Sequence, residues 1–170
     1  MSDPIVRPAR LDDVEAIASA HVRSWQAAYV GIVPQSILDR LSVERRAAQW
    51  REVIAEDGRE RVWVVDDGRV RGFASIGPAR DDDLPQGAGE LYAIYLEPEA
   101  WSQGLGHSLM GAATQDLIDR QSAPYVLWVL TDNARARRFY EAAGWQPDGV
   151  RRELSFDENP IEEVRYRLST

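Results

Sequence analysis

The spacing of apolar residues along the chain predicts five helices. Ser42 and Asn133 can cap helix N-termini. Gly31 and Gly144 suit the left-handed position that ends a helix. We expect Asp57-Gly58 to end the third helix. The predicted helices are Leu11–Tyr29, Ile37–Leu41, Ser42–Ala55, Leu105–Leu117 and Asn133–Ala143.

Apolar runs between these helices predict strands. The run Tyr125–Leu130 is nearly continuous, as expected for a strand buried on both faces. Asp66–Arg69 has the composition of a hairpin turn. Pro78–Gly89 is expected to be a solvated acidic loop, and Phe156–Pro160 a second polar loop. The predicted strands are Ile5–Pro8, Arg61–Val65, Val70–Ile76, Glu90–Leu96, Tyr125–Leu130, Trp145–Val150 and Val164–Leu168.

The order of these elements predicts a single α/β domain over residues 1–170. One strand and several helices come first, and the order β-β-β-α-β-α-β-β follows. No internal repeat, low-complexity tract or linker divides the chain. Its length is sufficient for a full hydrophobic core.

Composition and charge narrow the classes of function. The absence of cysteine excludes disulfides, thiolate metal sites and a cysteine nucleophile, and two histidines are too few for a histidine-rich metal centre. The net charge of −8 makes nucleic acid a poor partner and weakly favours cationic ligands such as amines. No apolar run approaches membrane-spanning length, and Met1–Pro4 carries no secretory signal. We therefore expect a cytoplasmic protein without a membrane partner.

The segment Trp101–Leu109 has the composition of a phosphate-binding loop. It follows an apolar strand and leads into a helix, and Gly104 and Gly106 allow a ligand to approach the backbone. The first turn of the helix offers free N–H groups at the positive end of its dipole. The segment lacks the three glycines of the dinucleotide fingerprint and the Gly-Lys-Ser/Thr of a P-loop. An ordinary strand-to-helix turn is the alternative.

Two motifs resemble the signatures of the GNAT N-acetyltransferases. Trp101–Gly106 is similar to the family's acyl-CoA loop, Gln/Arg-x-x-Gly-x-Gly/Ala, with Trp101 in the place of Gln or Arg. Asn133–Trp145 is similar to Asn-x-x-Ala-x-x-Phe-Tyr-x-x-x-Gly-Phe, with Trp145 in the place of the last Phe. The resemblance covers essentially the whole chain. It implies a mixed, mostly antiparallel sheet with helices on both faces and two central strands splayed apart for acetyl-CoA.

The resemblance also implies acetyl-CoA as co-substrate and suggests the residues that bind it. Ile94 and Leu96 would offer backbone groups to the pantetheine and the acetyl carbonyl. Asn133 would bond the pantetheine arm, and Tyr140 would face the thioester sulfur. The pyrophosphate would be held by the backbone amides of Ser102, Gln103, Gly104, Leu105, Gly106 and His107, with Ser108 adding its hydroxyl.

Acyl transfer to an amine needs a proton acceptor and a proton donor. Similar proteins use a glutamate at the position of Glu90 as the base, directly or through water; the alternative is an exposed strand-edge carboxylate. The Tyr140 hydroxyl can protonate the leaving thiolate; the alternative is a core aromatic residue. A backbone N–H can stabilise the oxyanion. Because no cysteine or serine–histidine pair is evident, direct attack in a ternary complex is expected.

The acceptor side is predicted less specifically. Trp25 and Tyr29 precede the turn Gly31–Pro34, and a similar run walls the acceptor site in one GNAT subgroup; the alternative is a helix packed on the sheet. Trp101 is expected to pack beside the phosphate loop. The arginines at 135, 137 and 138 form either a solvated helix face or a contact for the 3′-phosphate of CoA.

The sequence therefore predicts an acetyl-CoA-dependent N-acetyltransferase acting on a primary amine of a small molecule or peptide. The alternative is a non-catalytic CoA-binding sensor or interaction protein on the same fold. The sequence does not identify the acceptor or the oligomeric state, although a homodimer is common in similar proteins.

Overall fold

A seven-stranded sheet forms the centre of the computed structural model, which describes residues 3–56 and 58–170. The strands are β1 (Ile5–Pro8), β2 (Arg61–Asp66), β3 (Val70–Pro78), β4 (Ala88–Leu96), β5 (Ser122–Leu130), β6 (Trp145–Phe156) and β7 (Asn159–Leu168). Their order in the sheet is β1-β2-β3-β4-β5-β7-β6. All neighbouring strands are antiparallel except β4 and β5, which are parallel. The predicted mixed, mostly antiparallel sheet is confirmed.

Helices cover both faces of this sheet. The helices are α1 (Val14–Ala28), α2 (Gln35–Asp39), α3 (Val43–Ala55), α4 (Leu105–Arg120) and α5 (Ala134–Ala142), with 3-10 turns at Leu11–Asp13 and Pro98–Ala100. In β2, Val64 packs with α1 and α3, whereas Val65 packs with α4. Because successive strand residues point to opposite faces, these helices lie on opposite sides of the sheet. No described helix is long and apolar enough to cross a membrane.

The predicted helix boundaries follow from local hydrogen bonding. Ser42 Oγ accepts a hydrogen bond from Arg45 N at 3.2 Å and begins α3. Asn133 Oδ1 accepts one from Ala136 N at 3.2 Å and begins α5. Asp57, predicted to help end α3, lies outside the described residues.

The last hairpin is much longer than the sequence predicted. Phe156 and Pro160, predicted as loop ends, belong to β6 and β7, and the turn itself is only Asp157-Glu158. The prediction failed because the added strand residues are mostly charged or polar rather than apolar. Their cross-strand ion pairs stabilise the hairpin: Arg151 bonds Glu162 at 2.8 Å and Arg152 bonds Glu163 at 2.7 Å.

The acidic loop between β3 and β4 is exposed along most of its length, as expected of a solvated loop, but two of its aspartates also anchor it to the sheet. Arg165 of β7 is only 2% exposed and binds Asp83 at 2.7 and 2.9 Å. It also contacts Asp81 at 3.3 Å and Asp148 at 2.7 Å. A buried guanidinium requires carboxylate partners, so the loop aspartates are held against the sheet.

The parallel strands β4 and β5 separate along their length. They pair from Ala88 to Leu91, and beyond that point β4 continues to Leu96 and β5 to Leu130 without pairing to each other. A register shift opposite Ser75 and Ile76 leaves Tyr92 as the extra residue of a β-bulge in β4, and bulges bend strands. The predicted splaying of the central strands is confirmed.

Candidate active site

A cavity of about 660 Å³ lies where β4 and β5 diverge. Side chains from both faces of the sheet line it. The side with α4 and α5 contributes Ile94, Leu96, Trp101, Ser102, Gly104, Gly106, His107, Asn133, Arg135, Arg138, Phe139 and Tyr140. The side with α1 contributes Trp25, Tyr29, Arg80, Glu90, Tyr92, Tyr95, Trp128, Leu130, Arg152, Leu154, Phe156 and Glu163. We call these the coenzyme side and the acceptor side, after the roles that the sequence resemblance predicts for them. The cavity thus passes through the sheet.

Backbone groups of β4 point into the gap. Glu97 N donates to Arg71 O at 2.9 Å, toward the β3 edge. Because backbone groups alternate along a strand, those of Ile94 and Leu96 point the other way, toward the divergence. The Leu96 carbonyl accepts a hydrogen bond from Trp101 Nε1 at 3.0 Å. Among residues 3–56 and 58–170, both backbone groups of Ile94 and the N–H of Leu96 have no backbone partner across the gap, and their role in binding a ligand stays a prediction.

The predicted phosphate loop leads into the N-terminus of α4. Gly104 has φ of +80°, a conformation that favours glycine. A Cβ at Gly106 would lie 3.3 Å from Phe139 Cε2 and 3.5 Å from Leu96 Cδ1. Ser108 N makes the first helical bond, 3.2 Å to Gly104 O. In the described chain, the N–H groups of Leu105, Gly106 and His107 have no backbone partner.

The Ser108 side chain is directed elsewhere than predicted, and the Gln103 side chain, for which only the backbone amide was predicted to bind, also bonds within the segment. Ser108 Oγ bonds Gly104 O at 3.4 Å, within its own helix. Gln103 Nε2 donates to Glu99 O at 2.5 Å. Neither Ser108 nor Gln103 is among the residues that line the cavity. The predicted role of Gln103 is limited to its backbone N–H, and that of Ser108 to its backbone N–H or a rotated hydroxyl.

The coenzyme side carries positive charge at its opening. The Arg135 guanidinium lies 3.6 Å from the Trp101 ring centroid, and desolvation lowers the pKa of Arg135. Within the described ranges, Arg135 and Arg138 have no carboxylate partner, although the protein is acidic overall. Arg137 differs: it bonds the Tyr166 hydroxyl at 2.9 Å and Thr131 O at 3.0 Å, and it does not line the cavity.

Tyr140 lines the cavity from α5. It is 8% exposed and packs beside Phe139 and Tyr166 with ring centroids 5.7 and 6.4 Å away. Burial raises the pKa of the Tyr140 hydroxyl, and the nearby Tyr95 adds to the increase. The hydroxyl has no hydrogen-bond partner among residues 3–56 and 58–170. It is therefore a protonated donor facing the cavity.

Asn133 is positioned to serve two purposes. Its side-chain carbonyl caps α5 through Ala136 N. The amide N–H groups of the same side chain remain free to donate, and Asn133 lines the coenzyme side. Capping and ligand binding are compatible, as predicted.

Glu90 lies on the cavity wall of the acceptor side and is 2% exposed, so the alternative of an exposed strand-edge carboxylate was wrong. Arg80 binds both carboxylate oxygens: its Nη2 lies 2.9 Å from Oε1, and its backbone N and Nε lie 3.0 and 3.2 Å from Oε2. Arg80 also stacks over the Tyr92 ring at 4.1 Å. The position of Glu90 suits a base, but Arg80 already binds both oxygens of its carboxylate.

Trp25 and Tyr29 both line the acceptor side, where the sequence predicted them. Their ring centroids lie 4.9 Å apart, and Trp25 lies 6.4 Å from Phe156. The Tyr29 hydroxyl lies 3.4 Å from the Tyr95 hydroxyl. Helix α1 and Tyr29, the residue that follows it, therefore both pack on the sheet and line the cavity.

Sequence reasoning missed several residues of the acceptor side. Phe156 and Glu163 lie on the long hairpin whose extent was not predicted, and Arg80 lies in the loop interpreted as solvated. The alternation of polar and apolar residues along 153–156 was the available signal for a strand with one partly buried face.

Comparisons with known proteins agree with this architecture. Residues 19–145 match the model of the acetyltransferase (GNAT) family. The chain is 35% identical over 147 residues to the uncharacterised N-acetyltransferase YuaI of Bacillus subtilis, an alignment covering 85% of this chain and 80% of YuaI. A GCN5-related N-acetyltransferase structure from Rhodopseudomonas palustris has a TM-score of 0.77 at 18% identity, covering 100% of this chain and 98% of that one. The PaiA N-acetyltransferase of Thermoplasma acidophilum, solved with coenzyme A, has a TM-score of 0.74 at 17% identity, covering 95% and 98%.

The chain therefore belongs to the GNAT family of acetyltransferases. It is an N-acetyltransferase, and the family uses acetyl-CoA and an amine-bearing acceptor.

Proposed function

We propose that this enzyme transfers an acetyl group from acetyl-CoA to a primary amine of a small molecule or peptide, by direct attack in a ternary complex. The observation that carries the proposal is the cavity through the sheet. At one end, among the described residues, lie helical N–H groups without a backbone partner and arginines without a carboxylate partner; at the other end lie two glutamates, each paired with one arginine, and aromatic rings. Phosphates suit the first end and an amine suits the second.

The coenzyme side fits acetyl-CoA. The amides of Leu105, Gly106 and His107 would bind the pyrophosphate, since Gly106 leaves the backbone accessible. The Asn133 amide and the free backbone groups of Ile94 would hold the pantetheine arm. The pantetheine arm would lie in the gap between β4 and β5.

In the chemical step, the neutral amine nitrogen attacks the thioester carbonyl carbon. A C–N bond forms, the C–S bond breaks, and the leaving thiolate takes the proton of the Tyr140 hydroxyl. The ammonium group gives its first proton to Glu90, directly or through water, before the attack; the nitrogen loses its second proton to solvent as the amide forms, and Tyr140 is reprotonated from solvent. A free N–H of β4 beside the acetyl oxygen would stabilise the oxyanion.

Thermal melting with acetyl-CoA, combined with a thiol-release assay on primary amines, tests this proposal. A ligand present at about a hundred times its Kd stabilises the folded state by roughly 2.7 kcal/mol, which gives an easily measured shift. A shift together with amine-dependent CoA release supports the proposal. A shift without release from any amine would favour a CoA-binding sensor, and no shift would contradict the assignment of the phosphate loop.

A further inference from the structure

We propose that the acceptor is a cationic primary amine on an apolar body without a neighbouring carboxylate, and that Glu163 of β7 binds its ammonium group. This inference rests on the proposed function, because it names the class of amine that the same cavity accepts. Glu163 lies next to Leu130 in the β5–β7 register and lines the acceptor side of the cavity.

Among the described residues, one oxygen of the Glu163 carboxylate accepts a hydrogen bond and the other does not. The residue is only 9% exposed. Its Oε2 accepts a hydrogen bond from Arg152 Nε at 2.7 Å. Its Oε1 has no hydrogen-bond donor in the described part of the chain. This oxygen is not among the fully buried polar atoms that lack a partner, so it is accessible from the cavity, and an ammonium N–H entering the cavity would form a charge-assisted hydrogen bond with it.

The surroundings of Glu163 are apolar and aromatic. Trp25, Tyr29 and Phe156 face the same space, and Leu130 and Leu154 complete the wall. Burial raises the pKa values of the Tyr29 and Tyr95 hydroxyls, and the Glu163 charge adds to both increases, so this carboxylate is near the two rings. Aromatic faces attract cations and bury apolar bodies.

The guanidinium groups of the acceptor side are unsuited to binding a substrate carboxylate. Arg152 is paired with Glu163 and stacks over Trp128 at 4.0 Å. Arg80 is paired with Glu90. The charge of each guanidinium is therefore already offset by a glutamate. A carboxylate beside the reacting amine would meet these glutamates, and like charges in a poorly solvated site repel strongly.

A matched set of amines tests the class of acceptor. The thiol-release assay compares 2-phenylethylamine, ethanolamine, phenylalanine and phenylalaninamide by kcat/KM. We expect 2-phenylethylamine to exceed ethanolamine, since ethanolamine lacks the apolar body. We expect phenylalaninamide to exceed phenylalanine by roughly tenfold or more, since only the second carries a carboxylate. Equal or better use of phenylalanine would overturn the inference.

The substitution Glu163→Gln tests the binding residue itself, with Glu162→Gln as its control. Glu162 is adjacent on the same strand, is 45% exposed and pairs with Arg151, much as Glu163 pairs with Arg152. E163Q should raise the KM of the amine roughly ten- to hundredfold, as expected for loss of one buried charge-assisted hydrogen bond, and leave the KM of acetyl-CoA unchanged. E162Q should change neither. Equal effects of the two variants on the amine KM would refute the role of Glu163.

The substitution Phe156→Ala provides a second variant that keeps both glutamates. It should reduce the preference for 2-phenylethylamine over ethanolamine, and an unchanged preference would contradict the aromatic wall. The two proposals fail in different ways. Acetyl-CoA binding without turnover of any amine contradicts the proposed function, whereas turnover that favours carboxylate-bearing amines contradicts only this inference.

Discussion

At the scale of single residues, Tyr140 is the side chain with the most specific chemical assignment. Its hydroxyl faces the cavity from the coenzyme side and is close enough to Tyr95 for the two to affect each other's ionisation. Because its pKa is raised, the group keeps its proton at neutral pH and can deliver it. A core tyrosine without a function would be expected to have its hydroxyl bonded within the protein.

Replacing Tyr140 with Phe should therefore lower kcat by about 10²- to 10⁴-fold, the usual contribution of a positioned acid. Affinity for acetyl-CoA should change little, because the ring and its packing remain. Steady-state kinetics and melting with acetyl-CoA measure the two quantities. Unchanged turnover in Y140F would show that the thiolate is protonated by solvent instead.

The candidate site was only partly predictable at this scale. Asn133 caps helix α5 and Tyr140 lies within it, so a local sequence motif determines their relative positions. The positions of Gly104 and Gly106 are likewise determined by a local motif. Glu163 reaches the cavity only through the pairing of β7 with β5, which no local pattern specifies. The same limitation explains why the ion pair between Arg80 and Glu90 was not foreseen.

At the scale of elements, the proposed binding of phosphate at the N-terminus of α4 requires the backbone there to lie close to the gap between β4 and β5. Gly106→Ala places a Cβ between Phe139 and Leu96, where space is tight. We expect acetyl-CoA affinity to fall about tenfold, a loss of roughly 1.4 kcal/mol. Calorimetric titration of acetyl-CoA measures this.

Gly111 of the same helix supplies the control for that substitution. A Cβ at Gly111 would meet nothing within 4 Å. G111A should keep acetyl-CoA affinity and stabilise the fold by about 0.5–1 kcal/mol, the usual gain of Ala over Gly inside a helix. Equal affinities of G106A and G111A would argue against a tight cradle.

The β3–β4 loop and the hairpin form one ionic unit through Arg165. Arg165→Met would leave the carboxylates of Asp81, Asp83 and Asp148 without their shared cation, so unfolding should become easier by about 3–5 kcal/mol. Arg167→Met is the control, since Arg167 is 47% exposed and lies 3.7 Å from Asp148; its effect should stay within about 1 kcal/mol. Urea titration distinguishes the two, and similar losses would contradict the anchoring role of Arg165.

The sequence predicted most elements but not the extent of this unit. Helices with an apolar stripe, such as α1 and α4, were located because burial of one side leaves a period in the sequence. Strand β6 has one solvent-facing side and an ion-paired other side, so its middle looks like a loop. Charge pairing across strands is a long-range property.

At the scale of the whole molecule, stability should depend on pH through His21. This imidazole is buried against Trp25, Phe73 and Tyr95, and its Nδ1 accepts a hydrogen bond from Trp50 Nε1 at 3.1 Å. Burial lowers the pKa of His21 to about 3. In the unfolded chain the pKa is about 6.5, so between these values the unfolded state binds a proton that the folded state does not.

The stabilisation from neutral His21 is therefore complete above about pH 6.5 and declines as the pH falls toward 3. From pH 7 to pH 5 the free energy of unfolding should fall by about 2 kcal/mol. His21→Gln should remove this slope, whereas His107→Gln should retain it, because His107 is exposed. Urea titrations at both pH values measure the slope, and an unchanged slope in H21Q would contradict the buried neutral imidazole.

The proposed contact between Glu163 and a substrate ammonium group has a consequence for the end of each catalytic cycle. Acetylation converts an ammonium group into a neutral amide, so the reaction erases the charge that attracted the substrate. Glu163 then has no cation to hold, and the amide N–H is a weaker donor than the one it replaced. The product leaves a pocket that discriminates against it, and free amine displaces it readily. Turnover should thus resist inhibition by its own acetamide product, and the departure of CoA from the cationic end becomes the slower exit.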